Sequence, residues 1–156
     1  MTLKRKIISK DINPIKNPIN FTDMRKIHTT PIQIRFSDID SMGHVNNAVY
    51  LNYFEYARMM YINELVGTDW DWINKGMLLA NNNIDYKVPV LLSDHAEIET
   101  KCLKIGNKSF ILEYMLYVKR DQKRILCTQG TSTLVCFNYT KGETIEVPQE
   151  FKDAML

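Results

Sequence analysis

A cluster of polar side chains occupies one short turn of the chain, within the stretch IRFSDIDSMGHVNNAVYLNYFEYAR that runs from Ile34 to Arg58. The turn holds two carboxylates, one imidazole and two carboxamides: Asp38, Asp40, His44, Asn46 and Asn47. Carboxylates and imidazoles are the groups that accept protons or attack carbonyl carbons in acyl transfer. A turn that only connects two elements needs far fewer polar groups, so we examine it first as a functional site.

The turn joins a predicted strand to a predicted helix. Before it, Ile32, Ile34 and Phe36 alternate with polar residues, which predicts a strand. After it, from Asn47 to about Val66, apolar residues recur at helical spacing with no Gly or Pro inside, and Gly67 follows. The polar turn therefore leads into the start of a long helix.

The start of a helix can hold negative charge. Its first N–H groups have no intrahelical partner and the helix dipole is positive there, so an oxygen that gains charge during acyl transfer is stabilised. A carboxylate upstream can face the same point, and Gly43 allows the loop to turn and a substrate to approach. In the alternative interpretation, Asp38 or Asp40 caps the loop, Asn46 caps the helix and His44 bonds a buried carbonyl. The residues alone leave both open.

The rest of the chain predicts an α+β domain. After the helix come strand-like segments joined by short turns, so sequence neighbours should pair antiparallel. In one segment Phe110, Leu112, Tyr114, Leu116 and Val118 form a wholly apolar face. A curved antiparallel sheet wrapped around one long central helix would bury the aromatic residues of that helix. We predict a domain over residues 28–156, preceded by a basic, loosely ordered arm over residues 1–27.

Charge and composition exclude several classes of protein. The formal net charge is +2, but the arm carries seven Lys or Arg against two Asp, so the domain itself is acidic and is not expected to bind nucleic acid. No apolar run reaches the length of a membrane span. The three cysteines show neither CxxC spacing nor a nearby His, which predicts packing thiols in a cytoplasmic protein.

The stretch RFSDIDSMGHVNNAVYLNYFEYAR resembles the signature of the hotdog-fold acyl-CoA thioesterases, the group related to 4-hydroxybenzoyl-CoA thioesterase, and more distantly the plant acyl-ACP thioesterases. In that family an F-x-D-x-D-x-x-G core leads into the central helix. The resemblance implies that Asp40 is the catalytic carboxylate and that the N–H at or near Asn47 is the oxyanion donor. The HVNN segment is similar to the acyl-ACP branch, although Met42 stands where that branch has its asparagine.

The resemblance extends to further residues and to assembly. It implies that His44 orients Asp40 or water, although a loop hydrogen bond is an equal alternative, and that Gly43 and Asn46 contact substrate. Family members pair their sheets edge to edge, which implies a homodimer or homotetramer with residues borrowed across the interface. The implied reaction uses water and neither a metal nor a cofactor.

A basic segment could bind the phosphates of the carrier. Residues 101–124 hold seven Lys or Arg against two acidic residues, and the candidates at the two hairpin ends are Lys108, Ser109, Lys119 and Arg120. If those ends meet, they would form a phosphate patch. Solvated strand edges that prevent aggregation explain the same charges.

The predicted function is hydrolysis of an acyl-CoA thioester to the free acid and CoA. One alternative is an acyl-ACP thioesterase, and another is a non-catalytic protein of the same fold that binds acyl thioesters. A hotdog dehydratase is a third, but it would need a His–acid pair for α-proton removal, and the acid–His cluster here lies where the thioesterase motif puts it.

Overall fold

The computed structural model describes residues 26–156, and nearly all of the predicted basic arm lies outside them. Six strands and two helices follow one another along the chain. The strands are β1 (His28–Ile32), β2 (Gly76–Tyr86), β3 (Ala96–Ile105), β4 (Ser109–Arg120), β5 (Lys123–Asn138) and β6 (Glu143–Thr144), and the helices are α1 (Val49–Val66) and α2 (Gln149–Met155). Among the described residues, no helix combines the length and the apolar character that a membrane span requires.

The strands form one antiparallel sheet in the order β1-β3-β4-β5-β2, and the short β6 pairs with β5. The predicted antiparallel pairing of sequence neighbours is confirmed for β3, β4 and β5, but it is wrong for β2 and β3, because β2 pairs with β5 instead. Register shifts interrupt three of the pairings, β2 with β5, β3 with β4 and β4 with β5, and such bulges increase the twist and curvature of a sheet. We refer below to the Tyr86 end and the Gly76 end of this sheet, after the two ends of its edge strand β2.

Helix α1 packs against the inner face of the sheet. The predicted apolar face of β4 is confirmed, because alternate residues from Phe110 to Val118 are buried. Phe54 of α1 stacks on Tyr114 of β4 with ring centroids 4.6 Å apart. On β5, a Cβ at Gly130 would lie 2.5 Å from Cε2 of Phe54, so the absence of a side chain lets the helix approach the sheet. The α+β hotdog architecture is therefore confirmed.

The first strand is shorter than its alternating pattern predicts. It ends at Ile32, and residues Phe36–Asp38 form a single 3-10 turn. In that turn the Arg35 amide donates to Oδ2 of Asp38 at 2.8 Å, and the Asp38 amide donates to the Arg35 carbonyl at 3.0 Å. The expectation that Phe36 continues the buried face of the strand is wrong, because this turn rotates the side chain into solvent, where it is 84% exposed.

The helix boundaries also differ from the prediction in two places. Helix α1 begins at Val49 rather than Asn47, and it ends as predicted at Val66, followed by Gly67, whose φ of 83° suits glycine. A second helix, α2, was not predicted. It buries Phe151 and Met155, whose i,i+4 spacing after Pro148 is the sequence signal for a short helix.

Candidate active site

Asp40 lies at the base of a tight turn. Its amide donates to the His44 carbonyl at 3.0 Å, and its carbonyl accepts from the Gly43 amide at 3.0 Å. Gly43 has a φ of 84°, a conformation that other residues adopt only with strain. Oδ1 of Asp40 accepts from the Met42 amide at 2.8 Å. The backbone therefore holds the carboxylate through one oxygen and leaves the other, Oδ2, available.

His44 is the nearest titratable neighbour of that second oxygen. Its Nδ1 lies 3.9 Å from Oδ2 of Asp40 and 3.4 Å from the Val45 carbonyl oxygen. The first distance is too long for a direct hydrogen bond, and the second is long for one. The side chain of His44 is 32% exposed and that of Asp40 is 25% exposed, so solvent reaches both. The structure places His44 next to Asp40, and the orienting role of the imidazole stays a prediction.

Asp38 has different partners. Its Oδ2 accepts from the Tyr53 hydroxyl of α1 at 2.6 Å, and its carbonyl accepts from the Asn46 amide at 2.8 Å. Burial, followed by the hydrogen bond to this carboxylate, raises the pKa of Tyr53 well above its usual value. Asp38 belongs to the 3-10 turn, which ends the strand alternation. Asp38 fastens the loop to the helix.

The asparagine pair forms the turn that leads into α1. Oδ1 of Asn46 accepts from the Ala48 amide at 2.9 Å, and the Asn46 carbonyl accepts from the Val49 amide at 2.9 Å. The alternative that Asn46 caps the helix is wrong, because the N-cap is Ala48 and it has no side-chain cap, so the Asn46 side chain forms an Asx turn just before the helix. The residue is exposed, which is compatible with a substrate contact. Within residues 26–156, the Asn47 amide has no hydrogen-bond acceptor. It is therefore an N–H group available to a ligand at this end of the helix.

A cavity of about 250 Å³ is lined in part by Asn47. His44 and Asn47 line it together with residues from the end of β2 and the segment that follows, notably Tyr86 and Lys87. The Tyr86 hydroxyl donates to the Asn47 carbonyl at 2.9 Å, so β2 supports the start of the helix. Asp40 does not line this cavity in the described chain. The structure brings His44 and Asn47 together around it and keeps Asp40 next to His44.

Tyr86 and Lys87 were missed by sequence reasoning. They lie about forty residues after the motif, and nothing in their local spacing marks them as site residues. Only the register of β2 on β5, which pairs Tyr86 with Thr128, brings this end of β2 to the polar loop. No sequence signal short of the complete strand pairing could have identified them.

The predicted phosphate residues are divided between the two ends of the sheet. Lys119 and Arg120 lie at the Tyr86 end, whereas Lys108 and Ser109 lie at the Gly76 end. Strand β4 runs from Ser109 to Arg120, and the rise of about 3.3 Å per residue between these two ends amounts to about 36 Å along the strand. The predicted meeting of the two hairpin ends therefore does not occur within one chain. Lys108 is also engaged locally, since its Nζ lies 3.2 Å from Oγ1 of Thr144.

The two predicted phosphate residues at the Tyr86 end have different surroundings. Arg120 donates from Nε to Asp94 Oδ1 at 2.8 Å and from Nη2 to the Pro89 carbonyl at 2.7 Å. The Arg120 guanidinium lowers the pKa of Asp94, and that carboxylate raises the pKa of Arg120. Lys119 has no recorded ion pair within the described residues and lines a cavity of about 710 Å³. Arg120 thus supports the loop that borders the site, and Lys119 is the accessible cation.

Comparison with known proteins identifies relatives of this arrangement. The sequence model of the thioesterase-like superfamily matches residues 34–155. The long-chain acyl-CoA thioesterase FadM of Escherichia coli is 26% identical over 127 residues, which cover 81% of this chain and 95% of that protein. The crystal structure of the PA5185 protein of Pseudomonas aeruginosa is 30% identical with a TM-score of 0.74, over 82% of this chain and 88% of that one.

A further solved structure shares the fold at lower identity. It is a mutant of 4-hydroxybenzoyl-CoA thioesterase in complex with 4-hydroxybenzoyl-CoA, with a TM-score of 0.76 and 18% identity. The match covers 83% of this chain and 99% of that one. At this identity, the likeness supports the fold alone.

Proposed function

The chain belongs to the thioesterase-like superfamily, and from this premise we propose that it hydrolyses the thioester bond of an acyl-CoA to the free acid and CoA. The observation that carries the proposal is Asn47, whose amide has no acceptor within residues 26–156 and which lines a cavity together with His44. Asp40 is the carboxylate next to that imidazole, at 3.9 Å. The relatives named acyl-CoA thioesterases support the choice of carrier.

The chemistry has two routes that differ in the role of Asp40. As a base, its Oδ2 takes a proton from water, and the hydroxyl oxygen attacks the thioester carbonyl. As a nucleophile, Oδ2 attacks the carbonyl itself to form a mixed anhydride, which water then hydrolyses. In both routes the Asn47 amide donates to the carbonyl oxygen as it becomes negative, the C–S bond breaks, and the CoA thiolate leaves and takes up a proton.

The proposed active form is a dimer in which the two β2 edges pair. Strand β2 is an edge of the sheet, it is 11 residues long and most of its residues are exposed. A long exposed edge of this kind is ready to pair with another strand. Tyr86, at one end of β2, contacts Asn47, so a second sheet joined to this edge would lie next to the cavity. This explains how a site that one chain leaves open would be completed.

Edge pairing would also bring together the basic residues that lie at opposite ends of one sheet. Around a two-fold axis, antiparallel pairing of β2 with a second β2 sets the Gly76 end of one sheet beside the Tyr86 end of the other. The end that carries Lys108 and Ser109 in one copy would then approach the end that carries Asp40 and Lys119 in the other. We propose that the CoA phosphates contact basic residues from both copies.

The decisive experiment is turnover of a panel of acyl-CoAs, aliphatic of increasing length and aromatic, followed by release of free thiol. We expect hydrolysis of at least one member, and the preferred member defines the acyl group. The same acyl groups on acyl carrier protein test the alternative carrier. A folded protein that binds acyl-CoA without releasing thiol from any member would instead indicate a non-catalytic binding protein.

Sedimentation tests the dimer separately. At micromolar concentration we expect at least twice the mass of the chain. The double variant Asn81→Lys and Asn83→Lys, on exposed positions of β2, should dissociate it because like charges would face each other across the pairing. A monomer with full activity would contradict the proposed assembly.

A further inference from the structure

The departing thiolate of the proposed reaction needs a stabilising partner. When the C–S bond breaks, its electron pair passes to sulfur, and a nearby cation or hydrogen-bond donor stabilises the charge that develops there. Asp40 and the Asn47 amide have other roles in the proposed mechanism, at the attacking oxygen and at the carbonyl oxygen. The partner of the thiolate must therefore come from the other groups that line the cavity with Asn47.

The two tyrosine hydroxyls of that cavity are poorly suited to this role. The Tyr86 hydroxyl already donates to the Asn47 carbonyl at 2.9 Å. The Tyr50 hydroxyl accepts from the Val90 amide at 3.4 Å, and the residue is only 2% exposed. Burial raises the pKa of both phenols, so each holds its proton more firmly than an ordinary tyrosine does.

Lys87 is the lysine that lines this cavity. Its amide and that of Val88 both donate to the Cys127 carbonyl, at 2.8 and 3.0 Å, so strand β5 fixes the backbone from which the side chain extends. Within residues 26–156 the ammonium has no ion pair and no hydrogen bond, and the residue is exposed. The imidazole of His44, in contrast, lies 3.9 Å from Oδ2 of Asp40, on the side of the attacking group. Lys87 is therefore the cation available to the leaving group.

The sulfur of the substrate lies closer to this cavity than the phosphates of CoA do. Sulfur is bonded to the same carbon as the carbonyl oxygen that the Asn47 amide binds in the proposed reaction. The pantetheine arm between sulfur and the diphosphate spans about 15 Å when it is extended. A cavity of about 250 Å³ is only about 8 Å across if it is spherical, so its lysine serves the thioester rather than the diphosphate.

We propose that Lys87 is a catalytic residue that stabilises the CoA thiolate as the C–S bond breaks. Its ammonium donates a charge-assisted hydrogen bond to sulfur while the electron pair of the broken bond passes to that atom. Because an ammonium group is a weaker acid than an alkyl thiol, the lysine keeps its proton and the thiolate takes one from solvent after it leaves. This inference rests on the proposed thioester hydrolysis.

Lys87→Met tests the role with two thioesters that share the best acyl group of the panel and lack the nucleotide. One carries N-acetylcysteamine, whose alkyl thiolate is a poor leaving group, and the other carries thiophenol, whose thiolate is much more stable. We expect kcat/KM to fall about 10- to 100-fold on the alkyl thioester, which is the usual effect of a lost hydrogen bond to a charged group. On the aryl thioester the loss should be less than about threefold, because that leaving group needs little assistance.

Two further variants separate charge from structure. Lys87→Arg keeps a cationic donor and should retain most of the activity on the alkyl thioester. Lys123→Met removes another exposed lysine at the Tyr86 end of the sheet and should leave both rates unchanged. The melting temperature of Lys87→Met should match that of the wild type, because the side chain is exposed.

Three results would overturn the role of Lys87. They are full activity of Lys87→Met on the alkyl thioester, an equal loss on both short thioesters, and a loss confined to acyl-CoA, which would make the residue a phosphate contact. Each of them leaves the proposed function intact, since the wild type still hydrolyses the thioesters. A wild type that hydrolyses none of the thioesters would overturn the proposed function and this role together.

Discussion

Asp40→Asn removes one negative charge and leaves most other features of the active-site loop in place. The Asn side chain can still accept from the Met42 amide through Oδ1, as Asp40 does at 2.8 Å. The oxygen that is replaced, Oδ2, has His44 Nδ1 at 3.9 Å and makes no backbone hydrogen bond within the described residues. The substitution therefore isolates the chemical role of the carboxylate from its structural role.

The expected loss of turnover follows from that role. A positioned general base contributes about 10²–10⁴-fold, which corresponds to about 2.7–5.4 kcal/mol of transition-state stabilisation. We expect kcat to fall by at least about a hundredfold, and by more if Asp40 is the nucleophile. Acyl-CoA binding should persist, because the contacts to the carrier lie elsewhere. The melting temperature should change little, since the hydrogen bond to Met42 is kept.

The assay is release of free thiol from the best acyl-CoA of the panel, with binding measured by calorimetry on the same preparations. Asp38→Asn is the matched control, because it makes the same change two residues away. Asp38 accepts from Tyr53 at 2.6 Å and from the Arg35 amide at 2.8 Å, and weakening hydrogen bonds to a charged group costs about 1–3 kcal/mol. In a domain of this size this lowers the melting temperature by about 2–4 °C per kcal/mol.

Two results would refute this reasoning. Full activity of Asp40→Asn on a substrate that the wild type hydrolyses would remove the carboxylate from the mechanism. An equal loss of kcat in both variants, with both melting temperatures lowered, would mean that the loop needs its two carboxylates for structure rather than for catalysis.

Three further predictions concern the surroundings of the site. Lys119→Glu should raise KM for acyl-CoA more than it lowers kcat, because contacts far from the thioester stabilise ground and transition states alike; an equal loss on a short thioester without the nucleotide would indicate a folding defect instead. Tyr86→Phe should lower kcat about two- to tenfold, since one hydrogen bond to the Asn47 carbonyl is lost; unchanged kinetics would exclude a positioning role. Arg120 lowers the pKa of Asp94, so their pair stabilises the fold above the unfolded pKa of about 3.9 and loses this effect as the pH falls through the lower folded value. Asp94→Asn should therefore lower the melting temperature most at neutral pH and progressively less below about pH 4, and a difference that is constant with pH would contradict the assignment.

The sequence by itself determined the features that repeat over short distances. The helical spacing from Tyr50 to Leu65 predicted α1, and the alternation from Phe110 to Val118 predicted the buried face of β4. Both patterns are local, because burial selects apolar residues with the period of the element that carries them. The motif around Asp40 likewise lies within one short segment, so its resemblance to a family could be recognised from the sequence without any tertiary contact.

Other features were decided only by the tertiary structure. The backbone hydrogen bonds of Asp38 turned Phe36 outward against its alternating pattern, and the register of β2 on β5 brought Tyr86 to Asn47. The length of β4 separated Lys108 from Lys119, although both belong to one basic segment of the sequence. Strand pairing joins residues far apart in the chain, and a shift of one residue exchanges the faces of a strand. Local periodicity therefore specifies which elements form, whereas the register between them specifies which side chains meet at the site.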